Sequence, residues 1–391
     1  MKIKSKILPC ILLLVVFFLI ASCSRKIIVQ HINKIEDKEK VSGIFYALPQ
    51  TVVTVDIHVT KTENIKGPYY AYASKYLGLR NVITANNTTY EISNIEIGHY
   101  AEPDPDQYYI IKSMNNLLQK QSFIVNFSES GLLRSINDKN EWTDIEKASY
   151  SFTDQEAKIP NETFNYLVDA NFLEKIDTLI ERIHLDTLTI EKQTLHKSLV
   201  EKDIEQKAKD VADYILAIKG KKLNIISGFS EVAYDPKTVE YMYSELDKLE
   251  KEYLLLFTGI KITKTNIYRF TYLPKTDDPE QSIPLFNFSA NAGLQDSSKN
   301  KDNEFYLLVK RKGTTQPLKE LLKNRTESKR NGIYYRIPEY GKISLINKDK
   351  IKAESNIIVN QFGVVNQIKP SRIQLQFYPN SGSIRSIGIK K

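Results

Sequence analysis

Apolar and polar residues alternate most regularly where Val53, Val55, Ile57 and Val59 are separated by Thr54, Asp56 and His58. A period of two belongs to a strand with one buried face. Comparable runs at 90–97, 108–112 and 123–127, with a Ser130-Gly131 turn leading into 132–136, predict that residues 43 to about 150 are mostly β. The period then changes. Over 203–219, Ala208, Val211, Ala212, Ile215 and Ile218 share one helical face, and this helix is expected to stop before Gly220. A second helix opens with Asp235 as N-cap and Pro236 at its first position. It carries Val239, Met242, Leu246, Leu249, Tyr253 and Leu256 at three-four spacing and ends at Gly259. Strands on both sides and a short 220–235 connection predict an antiparallel helix pair packed on the body, not a coiled-coil dimer. After Gly259 the pattern returns to strands, interrupted by a polar loop at 296–303 and a basic, helix-like stretch at 316–330.

The chain also repeats itself. Gly43-Ile44-Phe45-Tyr46-Ala47-Leu48-Pro49 returns as Gly332-Ile333-Tyr334-Tyr335-Arg336-Ile337-Pro338, with a weaker echo at Phe270-Thr271-Tyr272-Leu273-Pro274. Downstream, Ser130-Gly131-Leu132-Leu133-Arg134-Ser135-Ile136 parallels Ser381-Gly382-Ser383-Ile384-Arg385-Ser386-Ile387 with five identities. Two unrelated hairpins share a turn glycine and alternation, but not five identities, so a duplicated β unit is expected. The predicted fold class is α+β: two related, β-rich, mainly antiparallel domains with an intervening helical hairpin. The expected boundaries are 41–185, 186–260 for the hairpin segment, and 261–391.

The N-terminus speaks to location. Lys2, Lys4 and Lys6 precede an apolar run from Ile7 to Ile20, the layout of a signal peptide over 1–22. The run is short for a permanent span. It ends Ala21-Ser22-Cys23, which resembles the bacterial lipobox, where cleavage before the cysteine precedes its acylation. Cys23 is thus the expected lipidation site, with 23–40 as a polar tether. A plain secretory signal or an uncleaved anchor, with a chance cysteine, is the alternative. The expected cofactor list is empty apart from that covalent lipid.

Composition narrows the classes. The chain has 391 residues, 41% hydrophobic and 26% charged, which suits globular domains and not disorder. Its only cysteines are Cys10, lost with the signal, and Cys23, so disulfides and thiol catalysis are excluded from the expected mature chain. The net charge of +8 falls to +5 when Lys2, Lys4 and Lys6 leave. In an exported, acylated protein such a surface meets anionic headgroups or nothing specific, so a membrane partner is expected through the lipid anchor and nucleic acid is not.

Several stretches resemble the domain-of-unknown-function family 4831, lipoproteins of Bacteroides-like bacteria. They include Tyr46–Pro49, Gly67-Pro68-Tyr69, Lys75-Tyr76-Leu77-Gly78, Glu102-Pro103-Asp104-Pro105-Asp106, Phe257-Thr258-Gly259, Leu285-Phe286-Asn287-Phe288-Ser289 and Gln361-Phe362-Gly363. The resemblance implies an envelope lipoprotein and supplies no activity or catalytic residue. Ser24-Arg25-Lys26 stand where surface-exported lipoproteins of such bacteria carry acids, which points to the periplasmic face of the outer membrane.

Motifs for nucleophile elbows, zincins, phosphate loops and dinucleotide folds are absent. The one cluster to weigh is His99, Glu102, Asp104 and Asp106, read as a proline-stiffened loop. Alternating oxygens suit a hard cation, and a histidine with carboxylates suits acid–base work. The plainer reading is a solvated turn. Tyr69, Tyr72 and Tyr76 lie at helical spacing, as core packing or as a binding stripe. Lys219-Gly220-Lys221-Lys222 reads as a basic turn after a helix. The expected role is a non-enzymatic binding or scaffolding component with an envelope protein or glycan partner. The alternative is an envelope hydrolase acting on a carbohydrate or peptide polymer.

Overall fold

The computed structural model describes residues 27–35, 42–113, 124–138, 164, 172–185, 188–228, 235–276, 279–297, 303–323, 332–369 and 373–389. Two long antiparallel hairpins organise it. The first joins β2 (Ile44–Ile65) to β3 (Asn87–Ser113), and the second joins β12 (Ile333–Asn347) to β13 (Lys350–Ile368). Each is followed by a short hairpin: β4 (Val125–Phe127) with β5 (Leu133–Ile136), and β14 (Ile373–Tyr378) with β15 (Ser383–Ile389). The fold is α+β, with two related β-rich units and an intervening helical hairpin.

The units share sheets. β1 (Ile27–His31), β3, β2 and β8 (Ile260–Tyr272) form one sheet in that order. A second runs β10 (Gly293–Asp296), β9 (Glu280–Ser289), β11 (Glu304–Arg311), β12, β13. The short hairpins join through β5 and β14. Val53, Val55, Ile57 and Val59 pack between the first two sheets against Phe286, Leu307, Val309, Ile343, Val359 and Phe362. Opposite them in phase, Asp56 pairs with Arg269 on β8 at 2.5–2.6 Å.

The pairing of β2 with β3 shifts ahead of Pro49, where β3 carries three extra residues between Tyr108 and Pro103. Tyr46 and Leu48, before it, face a second core with Leu133, Ile136, Leu375 and Phe377. β2 itself keeps its alternation, so its even face, at Tyr46 and Leu48, and its odd face, at Val53 to Val59, serve different cores. The repeat places Pro338 at the equivalent shift of the second hairpin, where β13 carries three extra residues between Val364 and Val359. Ala47 bridges to Leu132, and at the matching positions the Arg336 N–H donates to the Gly382 carbonyl at 2.9 Å. Both copies therefore seat their short hairpin on their long one in the same way.

Three expectations about the strands change. Residues 99–106 are not a loop: β3 runs unbroken through them, and Pro103 lies opposite Pro49, where the shifted ladder tolerates a missing N–H. The stretch expected as a tether contains β1, which pairs with 109–113 of β3 and buries Val29. The segment expected as helical from 186 opens on strand β7 (Leu188–Glu201).

The helices are α1 (Ala73–Leu77), α2 (Ile204–Ser227), α3 (Pro236–Thr258) and α4 (Gln316–Lys323). A capping box of Asp203 and Gln206 starts α2, and Asp235 caps α3 ahead of Pro236. Ala208, Val211, Ala212, Ile215 and Ile218 are the buried face of α2. That helix passes through Gly220 to Gly228. A mid-helix glycine costs only about 1 kcal/mol, and the extra turns carry Lys222 to Asp247 and Glu250 of α3 at 2.7 and 3.0 Å. The supposed basic turn is therefore a tie between helices. Tyr69 packs on Phe257 at 5.6 Å, so the tyrosine stripe belongs to the core.

Two predictions follow from these ion pairs. Asp104 on β3 holds Arg336 of β12 at 2.9 Å, both buried. Asp104→Asn leaves that guanidinium without a counter-charge and should cost about 3–5 kcal/mol in a urea titration. Asp247 accepts from Lys222 and also pairs with Lys251, and these cations hold its carboxyl at about 2, below its ordinary 3.8. Because the folded value is the lower one, this stabilisation is complete above about pH 4 and disappears as pH falls through about 2. Asp247→Asn should therefore flatten the acid limb of stability against pH, and an unchanged limb would refute the assignment.

Candidate interaction surface

The acidic run is consumed by the fold. Glu102 precedes the irregular stretch of β3 that holds Asp104 and Asp106, and their interactions diverge. Glu102 accepts from the Gln50 side-chain amide at 2.8 Å. Asp104 holds Arg336 and accepts from the Asp106 backbone N–H at 3.0 Å, and the Asp106 carbonyl lies 2.8 Å from His31 Nε2. His99 stands opposite Val53 on the exposed surface. Among the described residues no three His, Cys, Asp or Glu side chains gather as a metal site. Cys23 and the 7–20 run lie outside the described residues, among which no helix is long and apolar enough to cross a membrane.

A cleft of about 470 Å3 opens between β3 and the β9–β11 side of the second sheet, floored by Ile92, Ile95, Phe288 and Phe305 with Lys352 at the edge. Its lining includes no carboxylate, so it offers no acid–base pair.

The larger exposed feature is a ribbon. Among the described residues, β6 (Phe172–Leu185) and β7 pair only with each other, 14 residues against 14. On one face the register sets Phe172 beside Glu201, Leu199 beside Glu174, Ile176 beside Lys197, Leu195 beside Thr178 and Ile180 beside Gln193. Each rung carries one apolar and one polar residue, and the apolar one changes strand at every step. These five form a zigzag stripe with Leu199 75% and Leu195 66% exposed. A soluble surface scatters such residues singly, whereas a contiguous row marks an interaction site. Ion pairs brace the ribbon: Glu174 with Lys197 at 3.0 Å and Arg182 with Glu191 at 2.9 Å.

Its base is anchored. Glu201 pairs with Lys207 and Lys202 with Asp210, joining β7 to α2. Tyr76 of α1 donates to Glu205 at 2.9 Å, which ties the start of α2 to the connection after β2. β1 lies at the other end of β3, where Ile27 pairs with Ser113. The 27 residues of β3 separate the two ends along a contour of roughly 85 Å at about 3.3 Å per residue.

The family model for a domain of unknown function, DUF4831, matches residues 42–170 and 184–385. The chain belongs to this family. No curated protein and no solved structure matches it. The two segments that match DUF4831 part at 171–183, so most of β6 lies outside the family pattern while the bulged hairpins lie inside it.

The burial contrast makes a measurable difference. Leu195→Ser with Leu199→Ser should leave unfolding free energy within about 0.5 kcal/mol of wild type per site. Leu307→Ala, fully buried between the sheets, should cost about 2–5 kcal/mol in the same denaturant series.

Proposed function

We propose that the chain is an acylated bacterial envelope protein, a binding or scaffolding component without catalytic activity, which engages another envelope protein through the β6–β7 ribbon. The apolar zigzag of that ribbon is the observation that carries the reading. Neither the dispersed carboxylates of β3 nor the cleft beside Lys352 provides the paired groups a hydrolase needs. The membrane attachment rests on Lys2, Lys4 and Lys6, the 7–20 run and Ala21-Ser22-Cys23. Ser24-Arg25-Lys26 favour the periplasmic face of the outer membrane. With Ile27 already in the folded body four residues after Cys23, acylation would hold the β1 end close to the bilayer and the ribbon's base at the far end.

Cells fed labelled fatty acid should incorporate it into wild type, while Cys23→Ala gives an unlabelled, unprocessed chain. Labelling of Cys23→Ala would remove the anchor assignment. For the ribbon, tagged wild type and a Leu195→Ser, Leu199→Ser variant, crosslinked in the envelope, should differ in their adducts. The same adducts from both would place binding elsewhere.

A further inference from the structure

The zigzag of the ribbon is palindromic. From the base outward, the apolar residues are Phe172 on β6, Leu199 on β7, Ile176 on β6, Leu195 on β7 and Ile180 on β6. Consider a second ribbon turned by 180° about an axis that lies between the two faces and crosses the Ile176–Lys197 rung. Phe172 then meets Ile180 of the second copy, Leu199 meets its Leu195, and Ile176 meets Ile176. Every apolar residue finds an apolar partner. The polar positions are compatible too: Glu201 falls against Gln193 and Glu174 against Thr178, so no acid faces an acid. The two Lys197 side chains approach on the axis, but each is paired with Glu174 of its own ribbon at 3.0 Å. On the opposite face the rungs Lys175–Ser198 and Asp177–His196 have no apolar member, which breaks any stripe there.

We propose that this face docks on the same face of a second copy of the chain, antiparallel, with Ile176 on the twofold axis. The inference rests on the ribbon being the protein-binding surface, and it names the partner. A twofold contact is self-complementary by construction, and the alternating rungs meet that demand with five residues a side. The rungs from Phe172 to Ile180 cover roughly 30 Å by 10 Å, which is small beside the ~1,200 Å2 total of a stable interface. The contact is therefore weak between free molecules and gains its strength when both copies share one membrane.

The test uses the intact protein in its own membranes. Ile176→Cys and Leu179→Cys have similar exposure, 52% and 58%, but lie on opposite faces of the ribbon. Under mild copper-phenanthroline oxidation, Ile176→Cys should yield a disulfide-linked dimer on a non-reducing gel. Leu179→Cys and wild type, the latter controlling for Cys23, should not. Equal dimer from both positions indicates collision and overturns the proposal, as does no dimer from either. A benzophenone maleimide on the Ile176→Cys thiol separates the remaining cases. An adduct at twice the chain mass supports self-docking. An adduct with a different protein overturns self-docking and leaves the binding role intact. No adduct of either kind overturns both.

Discussion

Everything in the body depends on how two long strands bend inside a core without stranding their backbone. Past the register shift at Pro49, the next residues of β2 have β3 on one side, while pairing with β8 starts only at Val53. Thr51 would be left with an unpaired N–H and carbonyl, buried at 1% exposure. Gln361 of the second unit supplies both partners. Its side-chain oxygen accepts from the Thr51 N–H at 2.9 Å, and its amide donates to the Thr51 carbonyl at 2.8 Å. The Asn360 N–H donates to Thr51 Oγ1 at 3.0 Å. A side chain here stands in for a strand.

That arrangement explains why the duplicated units are not separate beads. The first unit's bend is completed by the second unit's residues: Gln361 at Thr51, Arg336 at Asp104, and the Tyr334 backbone at the Tyr46 hydroxyl, whose N–H donates to it at 2.9 Å. Tyr109 is stacked between Tyr46 and Tyr334, with centroids at 5.5 and 4.2 Å. Gly382 lies so close to Pro49 that an added Cβ would come within 2.7 Å of the proline Cδ. Its positive φ of +63° independently favours glycine. A buried polar junction of this kind contributes specificity more than net stability, because unpaired alternatives are penalised.

What could be read beforehand follows the range of the interaction. Caps at Asp203 and Asp235, the apolar face of α2 and the 53–59 alternation are local, and they appear where the residue pattern puts them. The duplication was visible because the bulge prolines and the hairpin turns are short motifs. Residues 99–106 read as a loop because Pro and Asp carry turn preferences, which pairing with β2 overrides while β3 takes up three extra residues beside Pro103. The tether reading failed similarly, since β1 is held by residues more than 75 positions away. The ribbon hid for a different reason. With one apolar residue per rung, each strand repeats every four residues, as in Phe172, Ile176 and Ile180 or Leu195 and Leu199. That spacing imitates a helix, and only the cross-strand register turns it into a stripe.

The same register also bears on why the ribbon is not simply a loose end. An isolated two-stranded hairpin is marginal in water, and the described side chains of this one are almost all exposed. Its cross-strand ion pairs are exposed and contribute little individually. Exposed leucines at two-thirds to three-quarters exposure add no stability to the monomer, yet each would contribute about 1.5–3 kcal/mol on full burial. The stripe therefore does little for folding and can contribute to association. Bracing by Lys202 and Lys207 at its base, on a capped helix locked to α3 by Lys222, fixes where that contact is offered. A rigid foot under an otherwise unsupported face lowers the ordering cost of docking, which is where a small interface has most to gain.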